Sequence, residues 1–370
     1  DNLNDLFTDF IHQMTTSTKS LLLTLLAISI TVCTNETDST GPGFGNDDKG
    51  KDNFKVAFIG DQGLGFDARA VLNLIKAEEA DAVVHAGDFD YDDNPKAWDD
   101  QINDILGADF PYFACAGNHD DDEFYGAGGY QTFMEARMNR LGITWDGDLG
   151  VKSSFEYNGI FFVLTAPDIL GSDHAAYIRD KLTENSSIWS ISSWHKNMRP
   201  MQVGGKDNDT GWGVYEESRK GGAIIATAHE HSYSRTHLLS SCENQTVAST
   251  SDTLILTSDL SETDEDEGRT FVFVSGLGGK SIRDQERSRD WWASIYTSDQ
   301  DANHGALFGT FNVDGIFNLA HFYFKDIDGV VVDEFYVIND AQNVSAAVEM
   351  TTQEIPAPAF AETSLNTMPK

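Results

Sequence analysis

Three cysteines and eight prolines are few for 370 residues. Cys33, Cys115 and Cys242 cannot form a disulfide scaffold, and none stands in a Cys-x-x-Cys pair. A cross-linked mini-domain, a thiolate zinc site and a dithiol redox centre are therefore excluded. Positive charge is also scarce: 25 Lys and Arg stand against 60 Asp and Glu, a formal net charge of −35. Such a surface repels nucleic acid and anionic membrane over most of its area, so no nucleic-acid partner is expected. A phosphate-bearing ligand would need a local positive source. Apolar residues are not lacking. At 40% hydrophobic, the chain can bury a sizeable core.

The two ends differ in composition from the middle. After Met14 come one cation, Lys19, an apolar run from Leu21 to Val32, and Cys33. That run is too short to span a bilayer but suits the core of a secretory signal, so residues 1–33 are expected to be a leader and the protein to be exported. Cys33 follows Ile30, Thr31 and Val32 in a weak likeness of a bacterial lipoprotein box, which would tether the chain to a membrane by lipid; secreted, periplasmic and lipid-anchored locations are all compatible. Residues 34–52, rich in Thr, Asn, Asp and Gly, have the composition of a flexible linker, and 340–370 that of a disordered tail. Most of the negative charge falls in 53–339, the expected folded domain.

Within that domain, short apolar runs alternate with helical periods. Phe54–Ile59, Ala82–Ala86, Pro111–Ala116, Ile160–Thr165, Ile188–Trp194 and Ala223–Ala228 read as buried strands, with helical patterns after the first and near Tyr130–Arg140 and Ala175–Leu182. From Thr253 the pattern becomes strands without helices. The economical reading is a single α/β domain with two sheets.

Polar, metal-ligating residue types recur at the carboxyl ends of these strands, where open α/β sheets place their sites. In order they are Asp61-Gln62-Gly63, Gly87-Asp88-Phe89-Asp90-Tyr91, Gly117-Asn118-His119-Asp120, Trp194-His195 and His229-Glu230-His231. One Asp after a strand is usually a cap or turn residue; five such blocks in series are not explained by turns.

This series resembles the calcineurin-like metallophosphoesterases, specifically the purple acid phosphatase branch, whose blocks are DxG, GDxxY, GNH[DE], xxxH and GHxH. All five occur in that order between about Lys55 and Arg235, with Ala228 where the last block usually has Gly. The resemblance implies an αββα fold, a two-sheet sandwich flanked by helices, and two metals bridged by Asp88. Asp61, Asp88, Tyr91 and His231 would hold the first metal. Asp88, Asn118, His195 and His229 would hold the second. Hard oxygen donors favour Fe(III) at the first site, while imidazole with amide oxygen suits Zn, Fe(II) or Mn at the second. His229 and His231, two apart, must lie in a turn to converge.

The same resemblance makes His119 the general acid for the leaving alkoxide, with Asp120 expected to fix its tautomer. Lys196 and Arg199 are candidate phosphate contacts. The implied reaction is in-line attack on a phosphomonoester by a hydroxide generated at the metal pair. Two alternatives stay open: a phosphodiesterase or nucleotidase on the same metals, and an inactive secreted acidic binding protein. Gly276-Leu277-Gly278-Gly279-Lys280 lacks the spacing of a nucleotide-binding glycine loop and reads as a tight turn returning toward the site.

Overall fold

The computed structural model describes residues 50–260 and 268–340. The expected leader with Cys33, and nearly all of the expected linker and tail, lie outside the described residues.

The first sheet has seven strands. The parallel trio β1 (Phe54–Ile59), β2 (Ala82–His85) and β3 (Tyr112–Ala114) forms one side. β15 (Gly305–Phe311), β16 (Leu319–Asp326) and β17 (Val331–Asn339) add an antiparallel meander against β1, and β12 (Thr253–Leu256) closes the edge. The second sheet has eight strands. At its centre β6 (Ile160–Thr165), β7 (Trp189–Ser193), β8 (Ile224–Thr227) and β13 (Val272–Ser275) run parallel. β4 (Asp146–Asp148) and β5 (Lys152–Tyr157) flank it on one side, β9 (Tyr233–Thr236) and β14 (Trp292–Tyr296) on the other, and β10 (Leu238–Ser241) and β11 (Thr246–Ser249) pair as a separate hairpin.

The sheets pack face to face through rings. Phe58 of β1 meets Phe273 of β13 with centroids 5.2 Å apart, and Phe113 of β3 meets Phe155 of β5 at 4.8 Å. Helices α1 (Phe66–Ala77), α2 (Pro95–Ile105) and α3 (Tyr130–Arg140) lie along the first sheet. α4 (His174–Glu184) and α5 (Gly213–Lys220) cover the second, over a separate apolar cluster that includes Ile178, Val214 and Ile225. This is the expected two-sheet sandwich flanked by helices.

The apolar runs became strands within a residue or two of their expected ends. Elements not among those expected include α2, α5, β4, β5, β9 and β14. β9 (Tyr-Ser-Arg-Thr) looks like surface, yet all four residues are buried. Arg235 is accommodated there because Asp333 takes its Nε and Nη2 at 2.7 and 2.9 Å while Phe335 stacks 4.0 Å from the guanidinium carbon. A buried cation is tolerable only with such a partner, and Asp333 is 98 residues away in sequence.

Candidate metal centre

Every block of the series lands at the carboxyl end of a parallel strand: Asp61 after β1, Asp88 after β2, Asn118 after β3, His195 after β7, His229 and His231 after β8. Because the two sheets face each other, these ends meet. Asp61, Asp88, Tyr91 and His229 all have positive φ, between 56° and 71°. Non-glycine residues adopt this region at a cost of order 1 kcal/mol each, so a dense packing must hold them there. His229 is the centre of a γ-turn in which the Glu230 N–H donates to the Ala228 carbonyl at 2.9 Å, and a second i→i+2 bond, Ser232 N–H to Glu230 O at 2.7 Å, follows. These tight turns bring His229 and His231 to the same side, as a regular strand could not. Ala228, the departure from the family pattern, fits because Gly60 lies against its methyl: a Cβ on Gly60 would come within 2.3 Å of it.

The donors form two sets. In the first, the Tyr91 hydroxyl donates to Asp61 Oδ1 at 2.8 Å and lies 3.1 Å from His231 Nε2, itself 3.3 Å from Asp61 Oδ1. In the second, His195 Nε2 lies 3.2 Å from Asp88 Oδ1 and 3.0 Å from His229 Nδ1. Asp88, His195 and His229 present ligand atoms within 4.8 Å of one another, as a metal group requires. The negative charge of Asp88 also acts on the Tyr91 phenol, which belongs to the first set.

The contacts away from the centre fix which atoms face it. His195 Nδ1 is bonded to the Ala86 carbonyl at 2.7 Å, and His231 Nδ1 to Ser281 Oγ at 2.6 Å, leaving Nε2 of each pointing inward. His229 turns Nδ1 inward, with its Nε2 3.8 Å from Asp209. Such outer partners set tautomer and orientation in metal-binding histidines. Asn118 Oδ1 is buried without a hydrogen-bond partner. An orphaned amide oxygen on the residue next to His119, whose N–H reaches Asp88, is what a metal ligand looks like without its metal, so the residues fit bound metal.

The electrostatics agree. Burial opposes ionisation of Asp88, but His195 and the His119 N–H hold its carboxyl well below the usual range. Burial lowers His195, yet the Asp88 carboxylate outweighs it and lifts the imidazole to about 9. His229 is pushed down to about 2 by burial and by the His195 charge. Burial, with the negative charges of Asp61 and Asp88, drives the Tyr91 phenol far above its ordinary value. A cation among these groups would compensate the carboxylates and displace the phenolic proton.

The calcineurin-like phosphoesterase family model matches residues 54–233, a span that contains all seven donors. Residues 54–233 are a calcineurin-like phosphoesterase domain. Among solved structures, the purple acid phosphatase PPD1 isolated from yellow lupin (Lupinus luteus) seeds is similar over 83% of this chain, with TM-score 0.58 and 18% identity, which shows a shared fold. The chain spans 57% of that protein's length. GAP50, the anchor in the inner membrane complex of Plasmodium, is similar with TM-score 0.48 and 12% identity over 78% of this chain and 89% of its own. No curated protein sequence matches.

Three expectations about this calcineurin-like phosphoesterase centre need correction. Asp120 does not address the His119 ring; its carboxylate accepts N–H groups from Gly117, Asp88 and Phe89 at 2.6, 2.9 and 2.8 Å, clamping the turns after β2 and β3 together. Burial and the Asp88 charge push it up to about 8, against the pull of those N–H donors. Lys196 is held by Asp168 at 2.8 Å. Arg199 is about half exposed and lies nearest Asp207, at 3.7 Å. Three other cations stand near the site. Lys280 Nζ sits 4.2 Å over the Tyr91 ring, Arg283 Nη1 is 3.7 Å from Glu230, and Lys206 feels the charges of Asp61 and Asp88. The only sequence signal for two of them was the glycine-rich turn at Gly276, which does return to the site.

Proposed function

We propose that this chain is a dinuclear-metal phosphoesterase of the purple acid phosphatase type, acting on phosphomonoesters outside the cytoplasm. The observation that carries the proposal is the convergence of ligand atoms of Asp88, His195 and His229 within 4.8 Å of one another, together with a second set in which Tyr91, Asp61 and His231 lie within 3.3 Å of each other. Fe(III) at Asp61, Asp88, Tyr91 and His231, with Zn, Fe(II) or Mn at Asp88, Asn118, His195 and His229, would supply an acidified water and positive charge against the phosphoryl oxygens. The chain's own contribution is positioning and a proton. The His119 N–H is fixed to Asp88 Oδ1 at 3.0 Å, and its exposed imidazole packs 4.6 Å from the Tyr91 ring. It is thus held beside the donors and open to solvent, suited to protonating a departing alkoxide. Export is supported by the apolar run Leu21–Val32; cell fractionation showing the full chain confined to the cytoplasm would remove it from the proposal.

Metal analysis with visible spectroscopy of the purified protein tests the centre. Two transition ions per chain and a purple to pink tyrosinate–Fe(III) band, lost in Tyr91→Phe, are expected. A colourless protein active with two divalent ions would refute the iron assignment, and fewer than two ions would favour the inactive binding protein. A substrate panel decides the reaction: turnover of diesters alone would replace the monoesterase reading with the phosphodiesterase one.

A further inference from the structure

The site gathers positive charge that the rest of the molecule spends elsewhere. Lys51, Lys96, Lys196, Lys325 and Arg137 each lie within 3 Å of a carboxylate. Lys280 and Lys206, by contrast, form no ion pair within 4 Å among the described residues. Lys280 is exposed, with its ammonium over the face of Tyr91. Burial and the neighbouring Arg283 charge hold Lys206 below its usual value, while Asp61, Glu230 and Asp88 pull the other way. Arg283 is about one-third exposed, its Nη1 3.7 Å from Glu230 Oε1.

Glu230 is the unusual partner. It is 1% exposed, and neither carboxylate oxygen has a hydrogen bond. It packs on the Gly204 backbone so closely that a Cβ there would fall 2.2 Å from its carboxyl carbon. A buried carboxylate without hydrogen bonds is costly unless cations stand near it, and the two that do are Arg283 and Lys206.

Both loops that carry the cations are pinned. In one, Gly276, Gly278, Lys280 and Arg283 donate N–H groups to Ser232, Gly60, Asp61 and His231, each at 3.0 Å. In the other, the Lys206 carbonyl accepts from Gln202 Nε2 at 2.7 Å, and the Val203 carbonyl takes the N–H groups of Glu286 and Arg287 at 2.9 and 3.0 Å, joining the two loops. Held cations beside a metal pair have no acid of their own to satisfy beyond Glu230, which neutralises one of three.

We propose that Lys206, Lys280 and Arg283 form a second anion subsite beside the metal centre, selecting phosphate esters whose leaving group carries a further phosphoryl or carboxylate group close to the scissile phosphorus. Glu230 is the positioning residue that holds Arg283. The subsite rests on the phosphoesterase reading above: the first phosphoryl group occupies the metals and the second anion meets the cations. Two points of attachment also explain how a strongly acidic protein captures a strongly acidic substrate.

Binding of non-hydrolysable probes to the metal-loaded protein tests this, by isothermal titration calorimetry. Methylenediphosphonate and phosphonoacetate carry two anionic groups, and methylphosphonate carries one. The wild type should prefer the two-anion probes, and Lys280→Gln and Arg283→Gln should each reduce that preference about tenfold, the worth of one charge-assisted contact. Glu230→Gln should reduce it too, with the two metals retained, and higher salt should erode it. Lys196→Ala, whose ammonium is committed to Asp168, should leave the preference as it was. Equal weakening of all probes in the variants, or a wild type with no preference, overturns the subsite while sparing the phosphoesterase. A metal-loaded wild type that binds neither kind of probe overturns the phosphoesterase reading itself. Metal content measured on each variant separates a misfolded loop from a lost contact, and Arg283→Lys should restore part of the preference.

Discussion

His119 and Asp120 are neighbours in sequence with opposite fates: the imidazole is exposed at the lip of the centre, and the carboxylate is wholly buried on backbone N–H groups. The difference follows from chemistry. A carboxylate with four acceptor lone pairs can bind several strand-end donors at once, which an imidazole cannot do. His119 is thereby left exposed, as the proposed acid must be. His119→Ala should lower turnover by about 10²- to 10⁴-fold, the usual yield of a positioned acid, with both metals retained. Loss of metal in parallel with activity would make the residue structural. The Tyr-x-Arg string after His231 has the other kind of role: Tyr233 and Arg235 both bind Asp333, the tyrosine hydroxyl at 2.6 Å, bracing β9 against the first sheet.

At the scale of elements, the turn from Gly276 to Arg283 couples the second sheet to the site. Gly276 has backbone and carboxylate neighbours where a side chain would go: a Cβ would meet the Glu230 carbonyl at 2.2 Å and Asp61 Oδ2 at 2.6 Å. Gly276→Ala must push the turn away, drawing Ser281 off His231 and Lys280 off Tyr91. We expect a loss of roughly 1–3 kcal/mol in stability and weaker metal retention. Gly65→Ala is the control. Nothing lies within 4 Å of that position, and the cost at this helix N-cap should stay below about 1 kcal/mol. Unchanged melting and metal content in Gly276→Ala would show that the turn yields without effect on the centre.

For the whole molecule, the donor cluster makes stability depend on pH in the absence of metal. His195 is raised to about 9 and Asp120 to about 8, so above the ordinary values of these groups the folded state binds more protons than the unfolded one, and stability falls as pH rises through that window. His229, lowered to about 2, and buried His85, lowered to about 3, act oppositely: below about 6.5 the unfolded chain takes protons that the fold refuses, and stability falls with pH. Chelator-treated protein should therefore melt highest at about pH 6 to 7 and lower on either side, with metal flattening the alkaline side. A metal-free profile without a maximum there would contradict these directions.

The alternation of apolar strands with polar termini was legible in the chain itself, and with it the place of each candidate block, because every block begins within a few residues of the end of a strand that hydrophobicity alone marks. β9 was not legible, since polar residues become core only when partners such as Asp333 arrive from far along the chain. The same holds for charge. Whether a lysine meets substrate or a surface acid depends on which loops touch, so only the tertiary structure could set Lys196 against Asp168 and bring Lys206, Lys280 and Arg283 to the donors. Ligand types obey local strand geometry; their electrostatic surroundings are sums over space, which sequence order does not record.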